Sequence, residues 1–91
     1  ISQLKESKLT NAKLYPNPAG DFLYLSHGNA DLEKIVVTIA DIQGHVLMVR
    51  NYERISSGEV TEINVSHLPV GQFLFNITVG SDSRTFQFIK Y

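Results

Sequence analysis

The 91-residue sequence has no cysteine, no tryptophan, a single methionine and three prolines. Without cysteine there is no disulfide, no thiol nucleophile and no cysteine-based zinc site. Packing and strand pairing alone must therefore hold the fold. An excess of either charge is also missing, since eight Lys and Arg stand against nine Asp and Glu for a net charge of −1. Nucleic acid and anionic membranes select clustered cations, and no such cluster exists, so no nucleic-acid partner is expected. No apolar run approaches the ~18 residues that a membrane-crossing helix needs. Residues 1–12 are loosely polar and lack the charged-then-apolar pattern of a signal peptide. They read as a linker from an upstream part of a longer polypeptide, with residues 13–91 as the domain.

What is present is mostly strand. The chain is long enough for one domain, and its 43% apolar content can fill one core. Two-residue periodicity dominates. Leu23 and Leu25 alternate with Phe22, Tyr24 and Ser26. Residues 34–40 carry Ile35, Val37 and Ile39 on one face and are apolar on both, the pattern of a central, doubly covered strand. In 45–52, Leu47 and Val49 oppose Val46, Met48 and Tyr52. In 60–66, Ile63 and Val65 share a face. In 72–79, Phe73, Phe75, Ile77 and Val79 do so. Residues 83–91 set Phe86 and Phe88 against Ile89 and Tyr91, with Arg84, Gln87 and Lys90 between them as in a half-exposed last strand. Asp41-Ile42-Gln43-Gly44, Ser56-Ser57-Gly58 and Gly80-Ser81-Asp82-Ser83 supply turns. Pro16 and Pro18 confine 15–18 to an edge or a kink, because each proline removes a ladder donor. The only helical candidate is one turn at 30–33. About seven short strands at this spacing predict an all-β, Ig-like antiparallel Greek-key sandwich.

Chemistry is harder to find. His27, His45 and His67 each fall beside a turn or strand end, where a solvated imidazole is the ordinary outcome. No strand–Gly-x-Ser-x-Gly–helix elbow accompanies them. Asp41 reads as a turn-forming side chain bonding nearby amides. Asp31, Glu33, Asp41 and Gln43 do not reproduce a calcium loop. Asn64-Val65-Ser66 and Asn76-Ile77-Thr78 match the glycosylation sequon but lie within strands, as outward polar positions do. The phenylalanines alternate like core residues. Tyr15, Tyr24, Tyr52 and Tyr91 are the better candidates for a sugar-stacking surface. No catalytic, cofactor-binding or metal-ligating set emerges, and no enzyme activity is expected.

Three ordered segments carry a resemblance. Leu14-Tyr15-Pro16-Asn17-Pro18-Ala19-Gly20-Asp21-Phe22-Leu23 is followed by Val37-Thr38-Ile39-Ala40-Asp41-Ile42-Gln43-Gly44-His45-Val46. Then comes Ile63-Asn64-Val65-Ser66-His67-Leu68-Pro69-Val70-Gly71-Gln72-Phe73, and the chain finishes at Lys90-Tyr91. Together these resemble the type A sorting domain of the type IX secretion system, found at the C-terminus of proteins exported by Bacteroidota. The family-motif positions are Tyr15, Pro16, Asn17, Pro18, Asp21, Asp41, Gly44, Leu68, Pro69, Gly71, Phe73 and Lys90.

The resemblance implies a signal that the outer-membrane translocon recognises after transit through the periplasm. A sortase-like peptidase then commonly removes it and joins the cargo to anionic lipopolysaccharide, leaving the product at the cell surface or outside it. Phe86, Phe88, Ile89, Lys90 and Tyr91 are the expected recognition residues, and an exposed last strand also invites edge-strand self-association. The alternative is a retained Ig-like accessory module that docks on the attachment machinery or binds surface glycan.

Overall fold

The computed structural model describes Leu9, residues 11–28 and residues 31–91. Its strands are β1 (Lys13–Tyr15), β2 (Phe22–Ser26), β3 (Leu32–Asp41), β4 (Val46–Ile55), β5 (Thr61–Asn64), β6 (Gly71–Val79) and β7 (Asp82–Lys90). They form a three-stranded sheet, β1-β2-β5, and a four-stranded sheet, β4-β3-β6-β7, with every named pair antiparallel. Over the described residues the chain is thus an all-β sandwich of seven strands. Its core joins Leu23, Leu25, Ile63 and Val65 to Ile35, Val37, Ile39, Met48, Phe75, Ile77 and Phe88. The alternating phenylalanines are interior, with Phe73 and Phe88 stacked at 5.6 Å and Phe75 edge-on to the half-buried Phe86 at 6.3 Å.

Four local readings need correction. Leu32 and Glu33, assigned to a helical turn, open β3, where Leu32 is buried opposite Ile55. A single helical turn could offer it no such partner, while Ala30 lies outside the described residues. Lys34 has φ 53°, a left-handed conformation that costs a non-glycine residue roughly 1–2 kcal/mol. It shifts the phase of the alternation, so Leu32 and Ile35 are both buried although three residues apart. That interruption ended the periodic run at residue 34. Next, β3 is central, between β4 and β6, but Val36 on its outer face is 37% exposed. One face is covered, not two. Finally, the β3–β4 register shifts between Ile39 and Ala40, setting Met48 against Ile39 and Val46 against Ala40. Such a bulge turns a residue out of its expected face, and Val46 is exposed while Met48 is buried.

β1 is a short edge strand that stops where Pro16 has no N–H to give. Of residues 1–12, residues 1–8 and 10 lie outside the described set. Leu9 and Ala12 are buried in the core, and the Arg84 guanidinium donates to their carbonyls at 3.1 and 2.9 Å while lying 4.7 Å from the Phe86 ring centroid. The packed unit therefore takes in Leu9.

His45 and His67 are exposed as expected, but His27 is only 1% exposed. It continues the inward parity of Leu23 and Leu25 beyond the end of β2, and neither ring nitrogen has a hydrogen-bond partner among the described residues.

Candidate recognition site at the end of the four-stranded sheet

The motif residues, scattered through the sequence, gather in the fold. In the ladder Asp41 lies opposite Phe73, Phe73 opposite Phe88, and Gly71 opposite Lys90. Three strand ends thus meet at one end of the four-stranded sheet. Each is set there by local chemistry.

At the end of β3, the Asp41 carboxylate accepts from the amides of Gln43 and His45, both at 2.9 Å, and faces His45 Nδ1 at 3.1 Å. The Gly44 amide closes the turn on the Asp41 carbonyl at 3.0 Å. Gly44 has φ 90°, which a side chain would strain. The turn-forming reading of Asp41 holds. Its carboxyl is held below the ordinary carboxylate range, first by the His45 amide. Partial desolvation opposes this, and the His45 ring and Gln43 amide reinforce it.

A carboxyl depressed in the fold contributes stability that is present above the ordinary carboxylate pKa and lost as pH falls through the depressed value. Asp41→Asn is therefore expected to lower the urea midpoint at pH 7. Its gap from the parent should close as pH drops through the carboxylate range. A gap that stays constant with pH would show that the charge plays no part.

Before β6, Asn64 Oδ1 accepts from the Ser66 amide at 2.9 Å and the Ser66 hydroxyl at 2.7 Å. Leu68, 5% exposed, bonds its amide to the Val65 carbonyl at 3.0 Å. The bend delivers Pro69 and Gly71 to the start of β6. Val65 in turn donates to the Asp21 carbonyl at 2.8 Å, tying the first motif to the third.

Asn17 and Ala19 lie along the outer edge of β7. Asn17 accepts from the Ile89 amide at 3.0 Å and donates to the Gln87 carbonyl at 3.4 Å. Ala19, fully buried, donates to the Ile89 carbonyl at 2.6 Å and accepts from the Tyr91 amide at 3.1 Å. Tyr15 stacks on Tyr24 at 5.9 Å, off the core.

The five expected recognition residues divide by burial. Phe88 and Lys90 are interior, at 1% and 6% exposed, and Lys90 Nζ donates to the Tyr91 carbonyl at 3.1 Å. Lys90 is thus not the half-exposed cation its spacing suggested, because it shares the inward parity of Phe88. Phe86 is half-buried, while Ile89 and Tyr91 are 43% and 70% exposed. Ile42 and Val70, which flank the ends of β3 and β6, are 63% and 77% exposed. Neither is among the five residues expected from the sequence. Their position beside the Asp41 turn and Gly71 was the available signal.

The other candidates are engaged in structure. Asp31 accepts from the Ser57 amide at 2.6 Å and pairs with Arg54 at 3.3 Å. Asn76 donates to Ser83 Oγ at 3.0 Å and Thr85 Oγ1 at 2.9 Å across β6 and β7. Among the described residues no group of three or more His, Asp or Glu converges as a metal site.

No curated protein matches the chain. The family model for the secretion system C-terminal sorting domain matches residues 13–91, a span that holds all three motifs and the assembled end of the sheet, and the chain belongs to this type IX sorting-domain family.

Proposed function

We propose that this domain is the folded address of a larger protein exported by a member of the Bacteroidota, read at the end of its four-stranded sheet. The family is one of secretion signals and not of enzymes, and it directs proteins to the type IX machinery and toward the cell surface or beyond. In this reading the outer-membrane translocon engages the folded, Ig-like domain in the periplasm. A sortase-like peptidase then cuts upstream of β1 and joins the cargo to anionic lipopolysaccharide. The reactive groups belong to the peptidase, and the domain is ligand and substrate.

The observation that supports this most is the convergence of the three motifs with the end of β7 at one end of the four-stranded sheet. There Phe73, Phe88 and Lys90 pack inward while Ile42, Val70, Ile89 and Tyr91 face solvent. A few well-packed side chains near the centre of an interface, tyrosine prominent among them, carry most of its affinity. A reporter carrying an export signal and this domain tests the reading in a host with type IX secretion. Ile89→Glu with Tyr91→Ala is expected to cut surface delivery by about tenfold or more, with folding retained by circular dichroism. Undiminished delivery would place recognition elsewhere.

A further inference from the structure

An edge strand turns alternate N–H and C=O groups outward, where another chain can pair with them. From Gln87 to Tyr91, one residue past the end of β7, these groups include the Gln87 carbonyl, the Ile89 amide and carbonyl, and the Tyr91 amide. All four are taken by Asn17 and Ala19. The cover is no regular strand. Asn17 supplies its contacts through its side chain, the Ala19–Lys90 bridge is parallel, and Pro16 and Pro18 cannot extend the ladder.

The covered groups are complementary to themselves. Read along β7 they run acceptor, donor, acceptor, donor, symmetrically about Ile89. A second copy placed antiparallel across a two-fold axis would set Ile89 against Ile89 and Gln87 against Tyr91. Every one of the four groups would then find its partner. The half-exposed Ile89 would add an apolar contact at the axis, as cross-strand pairs do.

We propose that Asn17 and Ala19 form an edge guard that keeps β7 closed to a second copy of this chain. The guard and the dimer compete for the same four groups, so the intact domain is a monomer and loosening the guard makes it pair through residues 87–91. This concerns self-association and is tested without export.

The test uses the whole chain carrying Asn17→Ala, at an exposed position. At dilution, where the variant is monomeric, amide exchange at Ile89 is expected to quicken about tenfold, since its acceptor is gone, with the Phe75 amide unchanged as proof of the fold. Sedimentation equilibrium should show a monomeric parent, a reversible dimer for Asn17→Ala, and a monomer for Asn17→Ala with Ile89→Lys, which sets two like charges at the axis. Should Asn17→Ala fail to fold, Asn17→Leu, which keeps the volume but loses both the acceptor for Ile89 and the donor to Gln87, is read in the same way. Unchanged Ile89 exchange, a variant that stays monomeric at every concentration, or a dimer that survives Ile89→Lys each overturns the guard.

Discussion

Replacing Phe88 with alanine is expected to remove about 3–5 kcal/mol of stability, a large share of the roughly 5–15 kcal/mol that a small domain possesses. The ring is 1% exposed, stacks on Phe73, and lies in a strand whose edge is bonded on the far side by Asn17 and Ala19. The cavity cannot easily close, because β6 and β7 are in continuous register from Val79↔Asp82 to Gly71↔Lys90. Phe88→Leu, which keeps most of the volume, should recover most of the loss. Phe86→Ala should cost less, since that ring is half-buried. Urea unfolding of the three variants checks the order, and a Phe88→Ala cost below about 1 kcal/mol would contradict the packing. The result bears on function. A sorting defect in Phe88→Ala would report lost folding, whereas one in Ile89 or Tyr91 variants would report a lost contact.

That division shows what the sequence made legible. Two-residue alternation placed Phe73, Phe75, Ile77 and Phe88 in the core, because a pleated strand with one covered face leaves that pattern directly. Turn chemistry placed Asp41 and Gly44 because a carboxylate accepting nearby amides and a positive-φ glycine are local devices. The lost details were set by contacts distant in sequence. Lys34 switches the phase of β3 for the sake of Leu32 against Ile55, and no local rule asks a lysine for positive φ. The bulge at Ala40 turns Val46 outward, which depends on pairing between strands. Asn17 read as part of a proline kink, and its bonds to Gln87 and Ile89 span about 70 residues. Lys90 was read by charge, although its parity with Phe88 already pointed inward.

His27 was misread for the same reason, and it gives the largest expected gain in stability. Positions 23, 25 and 27 share one parity, so the backbone that buries Leu23 and Leu25 carries His27 inward too. The imidazole has left water, and among the described residues neither Nδ1 nor Nε2 has a partner. A buried polar group left unsatisfied costs about 1–3 kcal/mol, and a nonpolar group of similar shape removes that cost. Leucine has nearly the volume of histidine and continues the alternation. His27→Leu is therefore expected to stabilise the domain by about 1–3 kcal/mol, raising Tm by about 4–8 °C per kcal/mol in a chain of this size. His27→Asn, which keeps the polarity and loses volume, should go the other way. Calorimetry of the three proteins at neutral pH distinguishes the cases. A His27→Leu domain that melts no higher than its parent would show that the imidazole is satisfied in solution, and that the inward face of β2 accepts a polar residue without cost.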